Sequence, residues 1–187
     1  LMSGRPLPDI WIPDSSWVLQ QLSAAGVSTQ LVSEGLASSP FVLVGGPAVT
    51  TPASWGGALA SGSVALPDPI EDSHGTLALL APRAEAAAVG RTDEQLAGRL
   101  VPLAQRYSEH RANGVGENLS LRSIKATSKR LVPSTEQGYL SARKTNALLR
   151  PVVPKTGALL VTYPMVVRAH PNEYIANSAG DIARWFQ

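Results

Sequence analysis

The chain has 187 residues, 44% apolar and only 16% charged, enough to build a core in one ordinary domain or in two small lobes. Cysteine is absent, which excludes a disulfide framework, a cysteine-ligated zinc and a thiol nucleophile. The net charge of +2 is unevenly spread: residues 1–118 hold 11 acids and 6 bases, and residues 119–187 hold 3 acids and 10 bases.

In chain order, Leu1 to Pro8 read as the tail of a helix and a loop, as in a fragment or a processed chain. Asp9-Ile10-Trp11-Ile12-Pro13 reads as a short buried strand that Pro13 ends. Asp14, Ser15 and Ser16 are good N-cap residues. Trp17, Val18, Leu19 and Leu22 then form an apolar stripe that Gly26 is placed to terminate. Phe41-Val42-Leu43-Val44, after Ser38-Ser39-Pro40 and before Gly45-Gly46-Pro47, predicts a second strand. Ser63-Val64-Ala65-Leu66, stopped by Pro67-Asp68-Pro69, predicts a third. Leu77 to Ala88 predicts a helix that Pro82 kinks or splits.

Thr92-Asp93-Glu94-Gln95 fits a capping box ahead of helically spaced Leu96, Leu100, Leu103, Ala104 and Tyr107. Asn113-Gly114-Val115-Gly116 reads as a turn, and residues 119–133 are open between strand and loop. Ser134-Thr135-Glu136-Gln137 fits a second capping box, opening a helix to about Asn146. Leu148–Val153 and Ala158–Val167 read as strands, with Pro164 implying a bulge or an edge. Ser178-Ala179-Gly180-Asp181 can cap a final helix carrying Ile182, Trp185 and Phe186 inward. Strands alternate with helices, which predicts an α/β architecture with largely parallel pairing.

The ordered set of segments resembles a known family. Pro8-Asp9-Ile10-Trp11-Ile12-Pro13-Asp14-Ser15-Ser16 is similar to the first-lobe segment of extracellular solute-binding domains of the type 2 periplasmic-binding-protein fold. The actinobacterial forms, often fused to a von Willebrand factor A domain, look closest. Ser39–Val44 resembles their crossing strand, and Ser63–Pro69 followed by Ser73-His74-Gly75 their second-lobe strand and ligand-facing turn. Pro133–Gln137 and Thr162–Val167 fall in the expected order further on.

The resemblance implies a two-lobed fold of three-layer αβα lobes with mixed, mainly parallel sheets, lacking the family's opening strand–helix–strand. Residues 1–45 and 157–187 would form the first lobe and 46–156 the second, with hinges near Gly45–Pro47 and Pro154–Gly157. Residues 9–12, 41–44 and 161–167 would share one sheet, and 63–66 would lie in another.

The recurrent chemical feature is a strand followed by a small polar turn that opens a helix. Helix N-termini present unpaired N–H groups and partial positive charge, so several on one cleft could hold an anion. Plain N-capping explains each turn taken alone. Candidate ligand-binding residues are Ser15, Ser16, Ser39, Ser73, His74, Gly75, Ser134 and Thr135, with Tyr163 added by the resemblance. Gly75 would admit a ligand close to the backbone.

Asp68, Glu71, Asp72 and His74 sit in a proline-bounded loop without metal-site spacing, and no motif joins His110 or His170 to them. Ser73 and His74 diverge at a helix start, so no nucleophile–base–acid set is identifiable. Trp11, Trp17, Trp55 and Trp185 read as core. The basic second half reads as a solvated face or as a rim for an anionic ligand or partner. Its aromatics lack the interleaving of a nucleic-acid surface. No apolar run nears the roughly 18 residues of a membrane span, and no signal peptide is visible.

The expected function is therefore capture of a small polar or anionic solute in an interlobe cleft, for transport or sensing, without catalysis or cofactor. Expected partners are a membrane transporter or a fused von Willebrand factor A domain. The expected location is extracellular or in the cell envelope, as a lipoprotein or otherwise membrane-anchored in the full-length protein. The alternative is a degenerate binding fold that acts as a protein-interaction module in the envelope. A hydrolase using the Ser73–His74 loop is a third class.

Overall fold

A computed structural model describes residues 8–70, 72–92, 94, 96, 100–101, 104–105, 107–109 and 119–186. Its elements are β1 (Ile10–Trp11), α1 (Trp17–Ala24), β2 (Thr29–Gly45), α2 (Trp55–Ala60), α3 (Ser73–Ala88), a 3-10 turn (Leu121–Ser123), β3 (Val132–Thr135), α4 (Glu136–Arg143), β4 (Arg150–Val152), β5 (Leu159–Arg168) and α5 (Glu173–Trp185). The described residues between 94 and 109 are helical. The predicted capping box at 92–95 and the turn at 113–116 lie wholly or partly outside the described residues, as does most of Leu1 to Pro8.

The chain divides into two compact units, Leu1–Ser39 with Leu160–Gln187, and Pro40–Leu159. In the first, β1 pairs antiparallel with β5 through Ile10↔Val167 and Trp11↔Val166. Pro164 lies beyond that two-residue ladder, where its missing N–H costs no bond to β1. Helix α1 ends as Gly26 predicts: Gly26 takes φ +75°, its N–H donates to Ser23 O, and Val27 N–H donates to Leu22 O. Leu22 is the buried residue of this helix.

Helix α5 begins earlier than expected. The Asn172 side chain caps it by accepting from Ile175 N at 2.9 Å, so Ser178–Asp181 are internal. The inward face is Ile175, Ala179 and Ala183, spaced four apart, packed with Met165 and Val167. The expectation that Ile182, Trp185 and Phe186 point inward is therefore corrected; all three are exposed.

In the second unit, residues 41–44 of β2 are buried on both faces. Val42 and Val44 join Ala65, Ile124, Val132, Tyr139, Ala142 and Leu149 in one cluster. Alternation sends Phe41 to the opposite face, where its ring stacks on Trp55 with centroids 5.4 Å apart. Burial of a side chain such as Phe41 or Leu43 contributes on the order of 1.5–3 kcal/mol.

Helix α3 continues through Pro82 and is not split there. The Pro82 ring is fully buried and lies beside Gly56 of α2, where only hydrogen faces it. Packing there outweighs the lost helical hydrogen bond.

The strands form one five-stranded sheet in the order β1-β5-β2-β3, with β4 also on β2. Residues 10–11, 41–44 and 161–167 share it, as expected. The β2–β3 and β2–β4 ladders are antiparallel, like β1–β5. The expected mainly parallel pairing is corrected, because helices between strands do not force a parallel return. Ser63–Leu66 makes no strand of a second sheet. It forms a single parallel bridge, Val64↔Leu131, with Ala65 N donating to Leu131 O at 2.8 Å and Leu131 N to Ser63 O at 2.9 Å.

Candidate functional site

The N-termini of α2, α3 and α4 in the second unit are closed by the chain's own side chains. At α3, the Asp72 carboxylate accepts from His74 N at 2.7 Å and lies 3.2 Å from His74 Nδ1. The His74 side-chain bond comes first among the causes that lower the Asp72 pKa below the ordinary carboxylate value, against an opposing push from burial. His74 also stacks on Phe41, centroids 6.1 Å apart. Trp55, Phe41 and His74 thus form a file of rings.

Ser73 opens α3 and is half-buried. Gly75 is buried, and a Cβ there would lie 2.5 Å from Pro67 O and 3.0 Å from Pro69. The structure gives this glycine a packing reason: the helix start must fit under the Pro67–Pro69 loop. Thr76 Oγ1 donates to Pro69 O and closes the same turn.

At α4 the cap is Thr135, whose Oγ1 accepts from Gly138 N at 3.1 Å. The predicted box is thus displaced by one residue, because Ser134 pairs with Val42 within β3. Helix α4 ends at Arg143 rather than Asn146. Ser134 and Thr135 are both buried, and Thr135 lies opposite Phe41 in the ladder. Register and ring contact therefore place Thr135 and His74 both beside Phe41, within one unit.

Helix α2 is closed by a residue that sequence reasoning passed over. Glu85 of α3 accepts from Trp55 N at 2.6 Å and Gly56 N at 3.2 Å, and from Thr156 Oγ1. Trp55 Nε1 donates to Gly157 O at 3.0 Å, and Lys155 N to Pro52 O at 3.2 Å. An acid thirty residues from the amide it caps leaves no local signal in a sequence.

Helix α1 of the first unit differs. The α1 N-cap, Ser16, is in a helical conformation, makes no side-chain cap bond, and no acid follows in the first turn. Ser15 is 2% exposed, and its Oγ has no hydrogen-bond partner among the described residues. The same holds for the buried Trp17 Nε1 and Tyr163 hydroxyl. Sequence assigns Trp17 to the core; that its buried N–H goes unsatisfied is visible only in three dimensions. Ser39, on β2, is buried and engaged in contacts. Glu71 and His110 lie outside the described residues, and among those described no group of three metal-ligating side chains occurs.

No protein-family model and no curated protein sequence matches the chain. Its fold has solved counterparts. The sulfate-binding protein SubI from Mycobacterium tuberculosis superposes with a TM-score of 0.65 at 17% identity, over 98% of this chain and 65% of that one. Apo ferric ion-binding protein A of Pasteurella haemolytica gives 0.63 at 13% identity, over 96% and 64%. A periplasmic thiamin binding protein gives 0.59 at 12% identity, over 94% and 60%. At these identities the likeness is one of fold: this chain has a mixed α/β fold similar to that of these three proteins. It spans less than two thirds of the length of each of the three.

Proposed function

We propose that the chain is part of an extracellular solute-binding protein that holds a small polar or anionic ligand and serves transport or sensing rather than turnover. The observation that carries this reading is the fold likeness over nearly the whole chain to proteins whose names state sulfate, ferric ion and thiamin binding. The finer expectations belong to the same proposal: lobes at 1–45 with 157–187 and at 46–156, an envelope location with a membrane anchor in the full-length protein, and a transporter or a fused von Willebrand factor A domain as partner.

Of the candidate residues, Ser15 is the best placed by its own chemistry. A buried hydroxyl with no partner costs free energy, and an acceptor on a bound solute would relieve that cost. Ser16, Ser39 and Tyr163 are the further candidates of the first unit. Ser73, His74, Gly75, Ser134 and Thr135 are those of the second. The test is calorimetric titration of the chain with sulfate, molybdate, phosphate and small carboxylates. Binding of one of them, weakened by Ser15→Ala or by Thr135→Val, is the expected result. Binding indifferent to substitution at every candidate residue would move the site elsewhere.

One observation favours a second reading, a degenerate binding fold used to dock a partner. The N-termini of α2, α3 and α4 already carry their own caps, which leaves less for an anion to satisfy. No binding of any of these ligands would favour that reading.

A further inference from the structure

Much of the basic half of the sequence lies in the second unit, Arg168 and Arg184 belonging to the first. Residues 119–159 contain eight bases and a single acid, Glu136. Asn146 draws five of them toward one place: its Nδ2 donates to Leu121 O, Arg122 O and Ile124 O, at 3.4, 3.4 and 3.0 Å. That ties the 3-10 turn bearing Arg122 to the end of α4, where Arg143 and Lys144 lie. Lys125 is brought to the same place, because its carbonyl lies where a Cβ on Gly46 would be only 2.7 Å away. Gly45 in turn pairs with Arg150 of β4.

All five cations are exposed, and among the described residues none has a carboxylate partner. Only Arg143 has a ring partner, lying 6.0 Å from the Tyr139 centroid. Two aliphatic side chains stand exposed among them, Leu140 at 51% and Leu148 at 44%.

We propose that this region is a docking surface for an anionic phospholipid bilayer. A protein partner is held in one register by charges arranged to complement its own. Here, among the described residues, the five cations far outnumber the one acid, Glu136, and are long, flexible and free of ion pairs, which suits a fluid sheet of phosphate headgroups. The aliphatic tips supply what charge alone does not, apolar surface able to enter the headgroup boundary beside the cations. This inference is independent of the ligand reading: it uses other residues, and a chain that binds no solute would still carry the surface.

The experiment is co-sedimentation of the 187-residue chain with vesicles of phosphatidylglycerol mixed into phosphatidylcholine, and with vesicles of phosphatidylcholine alone. The chain should pellet with the first at low salt and not with the second. It should be released near 1 M salt, where the screening length shrinks to about 3 Å. Arg143→Gln with Lys144→Gln should lower partitioning about fivefold per charge removed. Arg168→Gln, whose arginine pairs with Asp9 in the other unit, should change nothing. Leu148→Ser should weaken binding without altering its salt dependence. Equal pelleting with both vesicles would overturn the proposal, as would binding that survives high salt. Retention on immobilised polyglutamate without binding to phosphatidylglycerol would also overturn it and point to an acidic protein instead. All substituted side chains are exposed, and the salt series on the unaltered chain decides the matter even if a variant misfolds.

Discussion

Removing the Ser15 hydroxyl separates two roles that sequence alone could not distinguish. A buried, unpartnered hydroxyl carries a desolvation cost of about 1–3 kcal/mol. Ser15→Ala should therefore raise stability in the ligand-free protein by about 1 kcal/mol in urea unfolding. The same variant should weaken binding of an anionic solute by about 1.5–3 kcal/mol in calorimetry. A loss of stability would mean that the hydroxyl has a structural partner, and the ligand role would fall. Asp72 is the opposite case, a side chain with its work done inside the fold. Its carboxyl titrates below the ordinary aspartate range when folded, chiefly through His74. A lowered folded pKa gives stability that is complete above the unfolded value, about 3.9, and is lost as pH falls through the folded one. Asp72→Ala should cost about 1 kcal/mol near pH 7, as N-cap losses do. Urea midpoints of the two proteins should converge below about pH 3.9 as the carboxyl protonates; a constant gap down to acid pH would deny the charge its part. The polar turns before α3 and α4 were legible because capping needs few residue types in a short window. Which oxygens remain unsatisfied was not legible, since that depends on everything packed around them.

Elements were legible where the signal is local. Gly26 and the Pro-bounded run 41–44 place a helix end and a strand from a handful of residues. Two elements were not. Residues 29–40 extend β2 by more than half its length, yet Ser33, Glu34, Gly35, Ala37 and Ser38 carry little strand propensity and mostly face solvent. The start of α5 was misplaced because Ser178–Asp181 imitates a cap, whereas Asn172 follows Pro171 and precedes Glu173, the stronger arrangement for a helix entry. Helix α2 shows how far a cap can come from: six residues with Gly56 and Gly57 form a weak helix alone. The Ser54 hydroxyl accepts from Gly57 N at 2.9 Å and the Glu85 carboxylate takes the two amides before it. Glu85→Ala removes a charged acceptor from both amides and from Thr156. It should destabilise the chain by about 1.5–3 kcal/mol in urea unfolding. Faster hydrogen exchange at the Gly56 amide and in residues 155–157 should accompany it. Destabilisation without faster exchange at those sites would place the role of Glu85 elsewhere in the helix.

At the scale of the whole molecule, the alternation of strands and helices was enough to suggest an α/β architecture, and the superpositions on solved binding proteins bear out a mixed α/β fold. Strand direction was not recoverable from the same runs. Alternation and burial look alike in a buried strand whichever way its neighbour runs, and direction is fixed by where the connecting chain returns. The ligand question also belongs to this scale, because a ligand that binds only the folded chain stabilises all of it. At a hundredfold excess over its dissociation constant the gain is about 2.7 kcal/mol. For a chain of this length each kcal/mol moves the melting temperature by about 2–4 °C, so the true ligand should raise it by about 5–10 °C. Differential scanning calorimetry with sulfate, molybdate, phosphate and succinate, each against chloride at equal ionic strength, measures this directly. The chloride series removes general salt effects, which act on exposed charges such as those around Asn146. A shift specific to one anion and lost in Ser15→Ala, while the variant's own ligand-free melting temperature stays level or rises, is the outcome expected of a solute binder. Equal shifts with every anion would reduce the effect to screening. No shift beyond chloride, with the chain cooperatively folded, would turn the reading toward a binding fold that has become a docking module.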